Sequence, residues 1–193
     1  MMLRTGRAFR ETTETRVTVE VYLDGSGQAQ VSLDNGMLRH MLQALATTSL
    51  IDIKVDATGD LSHHISEDVA LCMGHALNEA LSQGPPIYRY GTATVPMDCS
   101  LVTVALDLGG RPYWVINFVP QSTEVEGWRT DDISHFLRSL ATALRCNLHV
   151  AVHYSQNDHH AVEAIFKALG LSLRQAISPD MRRETVASSK GVL

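Results

Sequence analysis

The chain has 193 residues, 45% of them hydrophobic and 19% charged, with a net charge of −5. That is the profile of an ordinary globular protein near the size of one domain, and it removes disorder and long coiled coil from consideration. The longest apolar stretches, such as Val150–Val152 and Ala164–Leu169, fall far short of the ~20 residues of a spanning helix, and a negative chain lacks the global positive field of many nucleic-acid binders; neither a membrane nor a nucleic-acid partner is expected.

Arg4, Arg7 and Arg10 read as a solvated basic arm. Arg16–Leu23 alternates, with Val17, Val19 and Val21 two apart, as a half-buried strand does; Asp24-Gly25-Ser26-Gly27 turns the chain, and Gln28–Leu33 is expected to return as its hairpin partner. Met37–Leu45 carries Met37, Met41, Leu42 and Leu45 on one helical face, and Ile51–Val55 alternates again. A helix is expected from about Ser66 to Leu81, buried along Val69, Met73, Ala76, Leu77 and Leu81 and ended by Ser82-Gln83-Gly84-Pro85-Pro86.

The rest of the chain repeats this grammar. Ile87–Val95, Leu101–Leu108 and Tyr113–Phe118 read as strands, Asp131–Leu144 as a helix, Leu148–Tyr154 as a strand, and Asp158–Leu169 as a closing helix with Gly170 as its C-cap. Each half holds a strand, a loop and an HHxxE helix, at His63-His64-Ile65-Ser66-Glu67 and at His159-His160-Ala161-Val162-Glu163. We therefore expect an internally duplicated α+β protein of two sheets, each covered by a helix pair, with halves 1–86 and 87–193 integrated as one domain. The polar tail from Ile177 onward would ordinarily be read as frayed. Cys72, Cys99 and Cys146 form no CxxC pair and MMLRTGRAFR lacks the apolar core of a secretion signal, so a cytoplasmic location is expected.

Nine histidines, four of them in the two adjacent pairs, point to the chemistry. On a helix, residues i and i+4 share a face while i and i+1 diverge by about 100°. His63 with Glu67, and His159 with Glu163, can each grip one ion while His64 and His160 face another, which makes the motif a bridge between two metal sites. His40 and His149 can complete the coordination. Imidazole and carboxylate without thiolate suit Mn, Fe, Co, Ni or Zn. His75, His135 and His153 have no metal-site motif around them and read as structural or surface residues, and Cys72 reads as core.

With these residues in hand, the chain resembles the imidazoleglycerol-phosphate dehydratase family over essentially its whole length. The matches are Arg10-Glu11-Thr12-Thr13-Glu14-Thr15, His40-Met41-Leu42, the run from His63 to Asp68, Arg89-Tyr90-Gly91, Val95-Pro96-Met97-Asp98 and Leu106-Asp107-Leu108 with Gly110-Arg111-Pro112. Leu148-His149, Asn157-Asp158-His159-His160 through Glu163, Phe166-Lys167 and Ser188-Ser189-Lys190-Gly191 continue the set in the same order. The resemblance implies a fold like ribosomal protein S5 domain 2, a pair of Mn²⁺ ions per active site, and a high-order homo-oligomer with sites between subunits. It implies metal ligation by His40, His63, His64, Glu67, His149, His159, His160 and Glu163, and phosphate binding by Arg89, Arg111, Lys167, Ser188 and Lys190, which draws the tail into the site. Arginine forks and lysine charges suit a phosphate on chemical grounds as well.

The implied reaction converts imidazoleglycerol phosphate to imidazoleacetol phosphate in histidine biosynthesis. The carbon that loses its proton has no carbonyl beside it, so an imidazole ring held by metal at both nitrogens must supply the electrons that expel the hydroxyl. Glu14 is the expected proton-handling carboxylate and Asp98 a second.

Several residues depart from the family pattern: Arg39 replaces an acid, Ala44 a glutamine, Thr48 a histidine, Cys99 a glutamate and Gly109 a serine, and the Gly59-Asp60-Leu61-Ser62 segment before His63 is shorter by about three residues and lacks the aspartate that normally precedes the pair. Ala44 and Thr48 are expected to face the substrate. Each lost hydrogen bond to a charged group costs ~1.5–3 kcal/mol. Two readings follow, a working dehydratase, and a non-catalytic or altered-substrate paralogue that keeps the metal-bridged assembly.

Overall fold

The computed structural model describes residues 4–188. The first half runs β1 (Thr5–Glu11), β2 (Thr15–Tyr22), β3 (Ala29–Ser32), α1 (Gly36–Ser49), β4 (Asp52–Gly59) and α2 (Ser62–Ser82). The second runs β5 (Tyr90–Met97), β6 (Ser100–Asp107), β7 (Tyr113–Asn117), the short β8 (Glu124–Val125) and β9 (Trp128–Arg129), α3 (Thr130–Leu144), β10 (Asn147–Tyr154) and α4 (Asp158–Ala176). The two main sheets have the orders β1-β2-β4-β3 and β5-β6-β10-β7, which are one order written twice. In each, the first three strands pair antiparallel and the last joins in parallel through a helical crossover.

The repeat extends to single residues. Gly6 pairs with Val21 as Gly91 pairs with Leu106, and α1 and α3 both end on a left-handed residue, Leu50 at φ 60° and Arg145 at φ 58°. The four helices pack on the sheet of their own half and on each other across the halves, α1 on α4 and α2 on α3. One continuous apolar core results, with Trp128, Phe136 and Phe166 among its largest fully buried side chains. Among the described residues no helix is long and apolar enough to cross a membrane.

The structure corrects four expectations. The N-terminal arm is β1, paired along its length with β2; Arg4 is buried, with its Nε donating to Asp24 Oδ2 at 2.9 Å and its Nη1 to the Ile177 carbonyl at 2.6 Å. β3 is no hairpin partner of β2: it lies parallel to β4, because α1 carries the chain over the sheet between them. α2 begins at Ser62, so both members of the first histidine pair sit in its opening turn. α4 continues to Ala176, and Gly170 lies inside it, where a Cβ would overlap the Thr48 hydroxyl and approach the Leu45 carbonyl oxygen to 2.9 Å. Gly170 thus admits α1 against α4 and is not a cap.

Candidate active site

Asn157 opens α4 by accepting a hydrogen bond from the His160 backbone N–H at 3.2 Å, which sets His159 and His160 in the first turn. One turn on, Glu163 Oε2 lies 3.5 Å from His159 Nε2, and α1 brings His40 Nε2 to 3.7 Å from the same oxygen. Donor atoms of His40, His159 and Glu163 all lie within 4.8 Å of one another, and among the described residues no other group of three such side chains meets that geometry. Neighbouring ligands about 2.0–2.2 Å from one ion stand roughly 3–3.6 Å apart, so this donor set fits a divalent metal with little rearrangement. Glu163 is 8% exposed, and Lys167 Nζ lies 2.8 Å from its other oxygen. Burial alone would raise the Glu163 pKa, but the hydrogen bond and charge of Lys167 hold it below the usual carboxylate value.

His160 diverges from His159 as the helix requires. Its Nδ1 lies 3.4 Å from Cys99 Sγ, and its Nε2 3.5 Å from Asp98 Oδ2 at the tip of the β5–β6 hairpin. Their hydrogen bond raises the pKa of His160 above its ordinary value and lowers that of Cys99 below its own.

The first half builds a related cluster. His64 Nδ1 lies 2.8 Å from Asp60 Oδ1 and 3.7 Å from Glu14 Oε2, in the β1–β2 turn; the Asp60 bond raises the His64 pKa and lowers that of Asp60. His63 and Glu67 face α3: His63 Nδ1 is 2.6 Å from Asp132 Oδ1, and Glu67 Oε1 is 3.3 Å from His135 Nε2. His135, expected to be structural or surface, belongs to this cluster, and Asp132 was not foreseen. The signal was available: His135-Phe136-Leu137 on α3 repeats His40-Met41-Leu42 on α1, and each histidine faces the HHxxE helix that its own helix packs on.

The remaining candidates lie elsewhere. His149 is exposed between buried Leu148 and Val150, on the sheet face turned away from the helices, 6.3 Å from the Tyr113 ring. Arg89 sits before β5, where its backbone N–H donates to the Ala176 carbonyl at the far end of α4. Its Nε and Nη2 bond Asp107 at 2.6 and 3.0 Å, and its Nη1 donates to Ala187 O at 2.7 Å, which ties down the tail just before Ser188. Gly109, in place of serine, stands directly against this pair, with its Cβ position 2.6 Å from Arg89 Nη2 and 2.9 Å from Asp107 Oδ1. Arg111 is exposed, its carbonyl accepting from Asn147 Nδ2 at 2.6 Å. A groove of about 500 Å³ runs along Arg89, Leu108, Gly110 and Ala187. Lys190 lies outside the described residues.

Two departures look different in three dimensions. The Thr48 hydroxyl donates to the Ala44 carbonyl at 2.8 Å and lies against Gly170, so within this chain it takes part in the α1–α4 contact. Arg39 turns its guanidinium to the Leu33 carbonyl, 3.0 Å away.

The sequence model of imidazoleglycerol-phosphate dehydratase matches residues 33–173. The chain belongs to that family. The dehydratase of Dehalococcoides mccartyi is 48% identical over 194 residues, covering 100% of this chain and 99% of that protein. That of Methanothermobacter thermautotrophicus is 43% identical, covering 99% and 98%. The crystal structure of the Pyrococcus furiosus dehydratase in complex with (S)-C348 superposes with a TM-score of 0.85 at 36% identity, covering 96% of this chain and all of that one. Imidazoleglycerol-phosphate dehydratase from Staphylococcus aureus gives 0.82 at 29% identity, covering 91% and 99%. The duplicated two-sheet α+β architecture is therefore that of the dehydratases.

Proposed function

We propose that this chain is a hydro-lyase that dehydrates imidazoleglycerol phosphate to imidazoleacetol phosphate in histidine biosynthesis, using a pair of Mn²⁺ ions per site. The observation that carries the reading is the convergence of His40, His159 and Glu163 on one ion-sized point at the start of α4. His63, His64, Glu67, His149 and His160 complete the ligand set. Bound there, the ions would favour loss of the ring proton from the substrate's imidazole, leaving an electron-rich ring that can expel the neighbouring hydroxyl.

The chain's own side chains supply the rest. Glu14, beside His64 and exposed, takes the proton from the carbon adjacent to the one that loses the hydroxyl and returns a proton to the leaving oxygen as water, and the resulting enol ketonises; Asp98, beside His160, is the second candidate carboxylate. Arg111, Lys167, Ser188 and Lys190 hold the phosphate with Arg89, whose fork is already fixed on Asp107. The presence of a proton-handling carboxylate and phosphate-binding cations favours catalysis over the non-catalytic or altered-substrate alternative.

Among the described residues the phosphate candidates are split: Lys167 sits beside Glu163, whereas Arg89 lies at the far end of α4. Arg89 meets Ala176, seventeen residues beyond His159, and at 1.5 Å per residue that is ~25 Å along α4. The substrate, a ring and a three-carbon phosphate, is roughly 10 Å long from bonds of about 1.5 Å. His149, exposed on the outer sheet face, is likewise accessible to a second copy. We infer a high-order homo-oligomer whose sites join the metal cluster and Lys167 of one copy to Arg89 and Arg111 of another, working in the cytoplasm, where the three thiols stay reduced.

Co-assembly of two variants tests this. Arg111→Ala and Glu163→Gln chains, each near-inactive alone in conversion of imidazoleglycerol phosphate, are expected to recover about a quarter of wild-type turnover when mixed equally, because sites joining two intact halves form at random. A mixture no more active than its parents contradicts sites shared between copies.

A further inference from the structure

The two HHxxE helices are not treated alike by the helices packed on them. α1 brings one donor, His40, to Glu163. α3 brings two groups to α2, and both engage expected ligands: Asp132 at His63 and His135 at Glu67. We propose that Asp132 is a positioning residue for the metal ligand His63, a carboxylate that fixes which of its nitrogens is offered to an ion. This rests on the metal reading above.

The argument is geometric. An imidazole ligates through a nitrogen that carries no proton, and a free ring distributes its proton between two. His63 Nδ1 lies 2.6 Å from Asp132 Oδ1, a distance at which the ring N–H donates to the carboxylate. The proton is thereby held at Nδ1 and the Nε2 lone pair left for the ion. Asp132 is itself only 4% exposed and sits in the opening turn of α3, whose backbone amides favour a carboxylate there. It is therefore anchored on a rigid element and not on a mobile loop. His63 remains 44% exposed while its ring stacks edgewise on His135 at 5.2 Å, so the imidazole is still accessible to a ligand. A bonded carboxylate behind a metal-binding histidine fixes ring orientation and raises basicity, and losing such a partner typically weakens metal affinity 10- to 100-fold.

The alternative role for Asp132 is purely structural, as a favourable charge at the α3 N-terminus. A double-mutant cycle separates the two, with Mn²⁺ binding to metal-free full-length protein read by electron paramagnetic resonance of the free ion and unfolding temperature read alongside. Asp132→Ala is expected to weaken Mn²⁺ binding 10- to 100-fold, and Asp132→Asn, which keeps an acceptor oxygen without the charge, to weaken it less. In a His63→Ala background, Asp132→Ala is expected to change affinity by less than twofold, because the group it positions is gone. A fall in unfolding temperature with Mn²⁺ affinity unchanged, or an equal loss in both backgrounds, overturns the positioning role and leaves the metal reading standing. A wild-type protein that binds no Mn²⁺ overturns the metal reading and the proposal with it. Should Asp132→Ala not fold, Asp132→Asn with and without His63→Ala gives the same comparison.

Discussion

Glu163→Gln is expected to lower kcat/KM for imidazoleglycerol phosphate by about a thousandfold or more, some 4 kcal/mol of lost transition-state stabilisation. The substitution keeps shape and hydrogen-bonding capacity and removes one charge, and that charge is the single carboxylate of the His40, His159 and Glu163 cluster. It also leaves Lys167, whose Nζ lies 2.8 Å from Glu163, without its partner charge beside the cluster, so the cluster attracts a divalent cation less. Mn²⁺ affinity measured on the same variant should fall in parallel. The unfolding temperature of the metal-free protein should move little, since no core contact is lost. Turnover within tenfold of wild type would show that the cluster is not where the chemistry is supported.

The second large effect is on folding. Gly91→Ala is expected to destabilise the chain by about 3 kcal/mol or more, an unfolding temperature roughly 10 °C lower for a protein of this size. A Cβ at Gly91 would overlap the Ser172 carbonyl oxygen and stand 2.8 Å from its carbon and 3.1 Å from the Ala176 nitrogen, all backbone atoms of α4 that no rotamer change can clear. β5 would have to lift off the helix. Gly6 meets Ala76 and Ala80 of α2 in the same way, so Gly6→Ala should behave alike, whereas Gly36→Ala, whose Cβ would find only the Arg39 side chain at 3.7 Å, should be neutral within ~0.5 kcal/mol. Thermal denaturation of the three variants checks the set; a Gly91→Ala protein as stable as wild type would mean that the strand–helix contact yields more easily than its geometry requires.

These glycines also explain why part of the fold was illegible in the sequence. β1 reads as a basic arm because its inward positions include Gly6 and Ala8, which leave almost no apolar alternation to detect, while Arg4, Arg7 and Arg10 dominate its composition. β2, whose inward residues are Val17, Val19 and Val21, was legible for the opposite reason. The parallel placement of β3 was hidden because a turn between two alternating segments suggests a hairpin, and only the packing of α1 over the sheet decides otherwise. Gly170 looked like a helix end and is instead a close approach between helices, a property of the α1–α4 crossing and not of local sequence.

In the site, the HHxxE pattern was readable because four-residue spacing on a helix is a local rule, and His159 and Glu163 obey it. His40 was legible as a further histidine able to complete the set. Asp132 and His135 were not, since their proximity to His63 and Glu67 comes from α2 lying on α3, although the His-Met-Leu and His-Phe-Leu repeat marked His135 as the counterpart of His40. The distance between Arg89 and the histidine clusters was equally invisible, because only the course of β5 and α4 puts them at opposite ends.

The most direct measurement is turnover of imidazoleglycerol phosphate, followed as formation of the ketone imidazoleacetol phosphate, by the full-length protein before metal removal, after chelation, and after Mn²⁺ is returned. Dehydration that disappears with the metal and reappears with Mn²⁺ is the expected result. Turnover that survives complete metal removal, or a Mn²⁺-loaded protein that leaves the substrate unchanged, would contradict a metal-dependent dehydratase built on His40, His159 and Glu163.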